Sequence, residues 1–229
     1  MDPKFVIAGL IIVVIILMYV LYQYSNASTI VSYTTLNQSQ TDVSISTSPA
    51  SLRYAIGVWI YVNSWQSGTQ KPICNIPNIM NLSLDANSPT LYFYNLIGSG
   101  NISPTSINIS DNFPLQKWTY VTVSADSNYV DFYIDGKMVK STYLNNNGNA
   151  LPTPPTQNVV QIGKTSTGSS MSNDIMISRL YRWPNALAPQ DVWSEYLKGN
   201  GVGYWSSISY GLNLQLMKNN ANAYNLKVF

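Results

Sequence analysis

The sequence predicts an all-β protein, an antiparallel β-sandwich of jelly-roll type preceded by one N-terminal transmembrane helix. Three observations predict this. Residues 117–139 hold two runs of alternating apolar and polar residues separated by turn formers. Residues 5–22 carry no charge. Only 10% of the residues are charged and 17 are tyrosine, a composition typical of β-rich chains.

The first element is the apolar run 5–22, FVIAGLIIVVIILMYVLY. As a helix it would span about 27 Å, close to the hydrocarbon thickness of a bilayer. Tyr19, Tyr22 and Tyr24 lie at its far end, where tyrosine rings favour the membrane interface. We therefore expect a single-pass protein whose first partner is the lipid bilayer. Lys4, before the span, favours a cytoplasmic N-terminus.

A cleaved signal peptide is the alternative for this segment. The small residues of 25–27 (SNA) would suit cleavage after Ala27. However, the apolar run is longer than the usual 7–15 residues of a signal core, and Lys4 is its only positive flank. An uncleaved anchor is therefore favoured. The predicted organisation is a tail and anchor over 1–24, a polar spacer with a candidate first strand over 25–50, and a sandwich with a C-terminal extension over 51–229.

The spacer offers edge strands near Ile30-Val31 and Val43–Ile45. Residues 52–62 are almost continuously apolar, which predicts a central strand with Trp59 in the core between the sheets. Residues 91–94 (LYFY) predict a strand with rings on both faces. Short apolar pairs occur over 73–84, and 107–109 is a further candidate edge strand.

The alternating runs of 117–139 predict a three-stranded antiparallel meander. Residues 125–128 (ADSN) form its first link, and Asp135-Gly136 its second tight turn. Trp118 stands among the alternating apolar residues, so we expect it in the core as well.

Further elements follow the meander. The prolines of 151–155 exclude a central strand there. Strands are predicted at 159–162 and 175–181, and a short helix at 189–197 between Pro189 and Gly199. The alternating leucines of 212–216 predict an added strand, which would close a sheet near Ile30 or Val43.

Residues 117–139, KWTYVTVSADSNYVDFYIDGKMV, resemble the central signature of laminin-G-like domains in the concanavalin A-like lectin/glucanase superfamily. Residues 54–62 resemble the early strand of that family with its buried tryptophan. Residues 160–163 (VQIG) and 175–188 resemble its closing strands and the corner before a short helix. The resemblance covers about 51–197 and implies the fold. It leaves activity open, because this fold includes lectins, glycosidases and adhesion modules.

The sequence contains few residues of the types that catalyse proton transfer. The chain has no histidine, and Glu195 is its only glutamate. Glycosidases of the resembled superfamily use two Glu flanking an Asp on one strand, and no such run occurs here. Asp131 and Asp135 would lie about 13 Å apart along a strand, whereas paired hydrolytic carboxylates lie about 5–9.5 Å apart. We therefore predict a non-enzymatic protein without catalytic residues.

No cofactor or metal is predicted either. Asp85, Asp111, Asp126 and Asp174 are isolated, whereas Ca²⁺ needs 6–8 oxygen ligands. Asp135 is interpreted as a turn residue. Trp65, Tyr92 and Tyr94 are candidates for stacking on sugar rings, although a core or interface role is commoner for such aromatic residues.

The charge and the cysteine content limit which partners the protein can bind and whether it can form a disulfide. The net charge is +2 and no cluster of Lys or Arg occurs, so nucleic-acid binding is not expected. Cys74 is the only cysteine, which excludes an internal disulfide. Five Asn-x-Ser sequons matter only if the domain enters the secretory pathway; they begin at Asn26, Asn37, Asn81, Asn101 and Asn108.

Two functions remain open. The combination of one span, a sandwich and few charges resembles membrane-anchored virion proteins of large nucleocytoplasmic DNA viruses. That resemblance implies a minor capsid protein that links an inner membrane to a shell of capsid or coat proteins. The alternative is a lectin or adhesion module that binds glycan at a cell or virus surface. A concave sheet face with exposed aromatic rings would favour the lectin, and flat faces buried by partners would favour the structural role.

Overall fold

A computed structural model describes Val14 and residues 29–36, 41–44, 51–98, 102–103, 105–155, 159–163, 174–201, 213–218 and 221–227. No helix within these ranges is long and apolar enough to cross a membrane. The predicted span 5–22 lies outside them, apart from Val14, which is helical.

The domain is a sandwich of two six-stranded antiparallel sheets. Sheet A has the strand order β1-β12-β3-β8-β9-β10. Its strands are β1 (Thr29–Thr35), β3 (Arg53–Val62), β8 (Thr119–Asp126), β9 (Tyr129–Ile134), β10 (Lys137–Tyr143) and β12 (Ile175–Trp183). Sheet B has the order β2-β11-β4-β5-β6-β7. Its strands are β2 (Thr41–Ser44), β4 (Lys71–Ile76), β5 (Met80–Leu84), β6 (Leu91–Asn95), β7 (Ser106–Ser110) and β11 (Val159–Ile162).

The core lies between the sheets and follows the two-residue period of the strands. On β3, Ile56, Val58 and Ile60 point inward and are almost fully buried. Phe93 of sheet B meets Phe132 of sheet A edge-on, with ring centroids 5.3 Å apart. Cys74 is part of this core, and burial raises the pKa of its thiol to about 12, which leaves it protonated at neutral pH.

The predicted meander is confirmed, since β8, β9 and β10 pair antiparallel in sequence. Asp135 and Gly136 both adopt the left-handed conformation of a tight hairpin turn, with φ of 50° and 76°. The aromatic strand is also confirmed. Phe93 enters the core, while Tyr92 and Tyr94 lie on the outer face of sheet B and are partly exposed.

The prediction that Trp59 and Trp118 lie in the core between the two sheets is wrong. Trp59 is buried, but it points to the outer face of sheet A, where its ring stacks on Tyr196 at 5.5 Å. Trp118 is only half-buried and packs on Tyr61 at 5.4 Å. The early strand is apolar on both faces because a helix covers its outer one. Continuous apolarity therefore did not reveal which face meets the other sheet.

That helix is α1 (Pro189–Leu197), which begins and ends where the sequence predicts. It has no side-chain N-cap, and Pro189 lies in its first turn. Val192 is its buried residue, and Tyr196 lies against Trp59 and Tyr120. Helix α1 is thus held on the outer face of sheet A by aromatic packing.

The C-terminal extension forms β13 (Asn213–Lys218) and β14 (Ala221–Lys227), which pair with each other. A strand was predicted here, but its expected pairing with a sandwich sheet is wrong, because the hairpin forms a separate two-stranded sheet. Residues 219–220 are both asparagine, which favours a tight turn and a local partner.

The packing predicts unequal costs for two aromatic truncations. Phe132→Ala removes a fully buried ring between the sheets and should lower the free energy of unfolding by about 3–5 kcal/mol. Trp118→Ala removes a half-buried ring and should cost well under half of that. Urea unfolding of both variants measures the difference. Equal losses would place Trp118 in the core after all.

Candidate ligand-binding face

The outer face of sheet B carries a row of polar and aromatic side chains that crosses all six strands. The register aligns, in order, Asp42, Gln161, Asn75, Asn81, Tyr94 and Ser106. Residues in this row point away from the core, because their chain neighbours Cys74, Leu82 and Phe93 point into it. A six-stranded sheet therefore presents an outward surface without Lys, Arg or Glu along this row.

A second row runs beside the first. Ser83 pairs with Tyr92, and Tyr92 pairs with Asn108 on the edge strand. The rings of Tyr92 and Tyr94 are 6.0 Å apart. Gln70 reaches over the face, where its Nε2 donates to Ser83 Oγ at 2.9 Å and to Tyr94 Oη at 3.1 Å. We call this surface the amide face and define it by Gln70, Asn75, Asn81, Tyr92, Tyr94 and Gln161.

The amide face contains hydrogen-bonding capacity that its own groups do not use. Asn75 Nδ2 donates to Gln161 Oε1 at 2.7 Å. Yet Asn75 Oδ1 and Asn81 Oδ1 are buried and, within the described part of the chain, have no hydrogen-bond partner. Buried polar atoms without partners are rare. Both oxygens are closed off from solvent in this structure, so a ligand hydroxyl could donate to them only after neighbouring side chains move aside.

The hydroxyl of Tyr94 stays neutral at ordinary pH. Burial, followed by the nearby Tyr92 and Asp85, raises the pKa of Tyr94. A neutral phenol both donates and accepts a hydrogen bond, and its ring offers an apolar face.

A lysine cation closes one end of the amide face. Lys71 is buried, and its Nζ donates to three carbonyl oxygens, those of Thr69 at 2.9 Å, Ala86 at 3.1 Å and Asp85 at 3.3 Å. The ammonium also lies 4.0 Å from the ring centre of Trp65. Desolvation lowers the pKa of Lys71, and Asp85 opposes that shift. Trp65 therefore stacks on a protein cation, and it is not part of the amide face.

A groove lies on the opposite side of the molecule, between α1 and the turn that joins β9 to β10. We call it the helix groove; it measures about 400 Å³ and is lined by Ile134, Asp135, Lys137, Val139, Trp193 and Tyr196. Asp135 is confirmed as a turn residue. Its Oδ1 accepts the Tyr120 backbone N–H at 2.9 Å, and its Oδ2 accepts Lys117 Nζ at 2.8 Å. The hydrogen bond between Lys117 and Asp135, and then the charge of that carboxylate, raise the pKa of Lys117.

The aspartates predicted to be isolated are held by different partners. Asp85 accepts from Asn87 N and Ser88 Oγ, Asp111 from Asn108 Nδ2, Asp126 from Arg53 and Asp174 from Asn63 Nδ2. In the described residues, no group of three His, Cys, Asp or Glu side chains could hold a metal ion.

Sequence reasoning identified Tyr92 and Tyr94 but missed the amides around them. Asn75 and Gln161 are hydrogen-bonded across 86 residues of chain. No local pattern marks such a pair, since Asn is abundant throughout the sequence. Only the strand order of sheet B brings them together.

A two-sheet antiparallel sandwich with a polar, aromatic outer face defines a class of binding modules. A laminin-G-type family profile, described as concanavalin A-like lectin/glucanases superfamily, matches residues 34–193. The chain belongs to this family. No curated protein matches the sequence.

Solved structures show the same fold at low identity. The botulinum neurotoxin serotype D binding domain superimposes with a TM-score of 0.57 at 14% identity, over 73% of this chain and 43% of that one. The botulinum neurotoxin DC binding domain, in complex with rat synaptotagmin II, gives 0.56 at 15% identity, over 72% and 42%. A botulinum neurotoxin type C structure, described as dependent on two ganglioside molecules for cell entry, gives 0.53 at 17%, over 69% and 39%. The chain spans about two fifths of the length of these proteins.

The turn beneath the helix groove yields a stability prediction. A Cβ on Gly136 would lie 2.7 Å from Trp193 Cε3, and the backbone there has φ 76°. Gly136→Ala should therefore cost both backbone strain of about 1–3 kcal/mol and the packing of Trp193. Gly148→Ala is the matched control, because its φ is 80° and nothing lies within 4 Å of its Cβ. Thermal unfolding should show the larger loss for Gly136→Ala; equal losses would mean that the contact with Trp193 contributes nothing.

The loop between β5 and β6, which carries Asp85, yields a pH prediction. Backbone N–H groups, first that of Asn87 and then that of Ala86, hold the pKa of Asp85 below its ordinary value. A lowered carboxyl pKa stabilises the fold above the unfolded value of about 3.9, and that contribution is lost as the pH falls through the folded value. Asp85→Asn should therefore be less stable than the wild type at pH 6, and the gap should close towards pH 3. A gap that does not change with pH would contradict this prediction.

Proposed function

We propose that the protein is a non-enzymatic, membrane-anchored module that binds glycan through the amide face. One observation carries the proposal: the amide face combines four side-chain amides, two of whose buried oxygens lack partners in the described residues, with two partly exposed tyrosines, and the charge in its row is that of Asp42 at one end. Sugar rings present apolar faces and many hydroxyl groups. Aromatic rings can stack on those faces, and amides both donate to and accept from the hydroxyls.

The comparisons are consistent with this proposal. The family includes lectins by its description, and several similar structures are binding domains, among them one in complex with SialylT. The similar botulinum neurotoxin type C is described as dependent on interaction with two ganglioside molecules for cell entry. These similarities support a binding module rather than any particular ligand. They also support the lectin alternative from the sequence better than the minor capsid role.

The remaining parts of the sequence interpretation stay predictions. They are the anchor over residues 5–22, an origin in a large DNA virus, the location at a virion inner membrane or a cell surface, and capsid or coat partners. A concave sheet face with exposed rings was the feature expected of a lectin, and the partly exposed rings of Tyr92 and Tyr94 on the outer face of sheet B support its aromatic part.

A glycan array probed with the detergent-solubilised full chain tests the function. We expect selective binding, and Tyr94→Ala should weaken it at least tenfold, which corresponds to about 1.4 kcal/mol. The loss follows from removing both a stacking ring and the hydroxyl that holds Gln70.

The matched control is Tyr143→Ala. Tyr143 is also partly exposed and packs against another tyrosine, Tyr129, at 5.0 Å, but it lies at the edge of sheet A. Its variant should bind like the wild type. A wild-type chain that binds no glycan, or equal losses in the two variants, would overturn the proposed function.

A further inference from the structure

Four large apolar side chains beside the helix groove remain exposed, and the amide face does not involve them. We call them the apolar rim: Met138 is 48% exposed, Val139 47%, Trp193 42% and Leu197 65%. Val139 and Trp193 line the same groove, Met138 is next to Val139, and Leu197 lies one helical turn beyond Trp193. They therefore form one continuous patch.

Of these side chains, Trp193 contributes to the fold, because part of its ring packs on Gly136 and on Tyr196; the rest of its ring and the other three side chains stay exposed. Helix α1 is fixed by the buried Val192 and by Tyr196, whose ring stacks on Trp59. Strand β10 is the edge strand of sheet A. Contiguous apolar side chains on an edge strand and an adjacent helix usually mark a surface that contacts something else.

Lysines surround the patch. No carboxylate within the described residues forms an ion pair with Lys137, which lines the helix groove. Lys140 is turned the other way, because it pairs with the core residue Phe132 and its Nζ donates to the carbonyl of Asn108 on sheet B. Lys117 and Lys198 are paired with Asp135 and Glu195. The other carboxylates on this side are Asp131 on β9 and Asp191 in the first turn of α1. An indole beside aliphatic side chains, with lysines at the margin, is the composition of surfaces that lie at a lipid headgroup layer.

Chain length keeps the domain close to the bilayer if residues 5–22 span it. Seven residue steps separate Tyr22 from Thr29, the start of β1, and cover at most about 25 Å. Strand β1 belongs to sheet A, the sheet whose outer face carries α1. The tether thus leaves from the same sheet as the apolar rim, although β1 and β10 form its two opposite edges.

We propose that the apolar rim rests on the bilayer, with Trp193 and Leu197 in the headgroup layer and Lys137 towards anionic lipid. The amide face, on the opposite sheet, then points away from the membrane towards its ligand. This inference deepens the proposed function, because it rests on the membrane anchor and orients the binding face.

Two other occupants fit less well. A sugar would gain little from Met138, Val139 and Leu197, which offer no polar group and no ring. A second copy added edge to edge on β10 by two-fold symmetry would bring Lys140, the middle residue of the strand, close to its own counterpart, and like charges oppose such pairing.

The test reconstitutes the full chain into phosphatidylcholine vesicles with one fifth phosphatidylserine, in which the phosphatidylcholine carries bromine on its acyl chains. Bromine quenches indole fluorescence at short range. We expect quenching relative to unbrominated vesicles, and Trp193→Phe should remove most of it. The matched control is Trp65→Phe, whose ring lies on Lys71 at the end of the amide face and should leave the quenching unchanged.

Two further experiments test the aliphatic part and the charged part of this surface separately. Leu197→Glu should reduce the quenching of Trp193 while the melting temperature stays near that of the wild type, because Leu197 is 65% exposed. Omission of phosphatidylserine should weaken quenching in the wild type and have less effect in a Lys137→Gln variant.

A carbonate wash of the same vesicles separates this inference from the anchor. Retention with Trp193-dependent quenching supports both, and retention without such quenching overturns the orientation while the anchor stands. Extraction after quenching at neutral pH would show a surface contact without an anchor. Extraction without quenching overturns both. Concentration-dependent protection of Trp193 from an aqueous quencher, without bromine quenching, would overturn the inference in favour of a protein partner.

Discussion

The contact between the two sheets is the constraint on which the other features depend. Each strand must bury alternate side chains against the opposite sheet, and Phe93 meeting Phe132 is the largest single contact of this kind between aromatic rings. Once one face of every strand is committed to that core, the other face of each sheet becomes a separate surface. The two outer surfaces point in opposite directions and have developed different chemistry.

The outer face of sheet A is closed by aromatic packing. Trp59, Tyr120 and Tyr196 hold α1 in place, and the Ser124 hydroxyl donates to the Leu187 carbonyl at 3.2 Å and accepts its N–H at 2.9 Å, which fixes the segment before the helix. The absence of a side chain at Gly57 matters here, since a Cβ would lie 2.3 Å from Tyr120 Oη. This face is therefore a structural one, and its exposed remainder is the apolar rim.

The outer face of sheet B is left with amides and tyrosines. Its polar groups are joined across strands by the Asn75–Gln161 and Gln70–Tyr94 hydrogen bonds, and Lys71 fixes the loop at one end. A rigid, uncharged and hydrogen-bonding surface suits a ligand rich in hydroxyl groups. The sandwich thus keeps its binding chemistry and its helix on opposite sides, which is what a module oriented on a membrane would require.

Most strands and the helix could be predicted from the sequence, because each depends on a short pattern. Period-two alternation defined β8 and β9, Asp135-Gly136 defined the turn after them, and Pro189 with Gly199 bracketed α1. The predicted burial of Trp59 was correct, but its face was not. An apolar run indicates that both faces of a strand are covered. It does not show whether a sheet or a helix covers each face.

The sequence by itself determined the fold class, the order of the elements, and a poor set of groups for acid–base catalysis, since these follow from local patterns and composition. The tertiary structure alone decided the amide face, the position of Lys71 among three carbonyls, and the pairing of the C-terminal hairpin with itself. The physical reason is that strand order and register bring distant residues together. Neither is encoded by the period of any single strand.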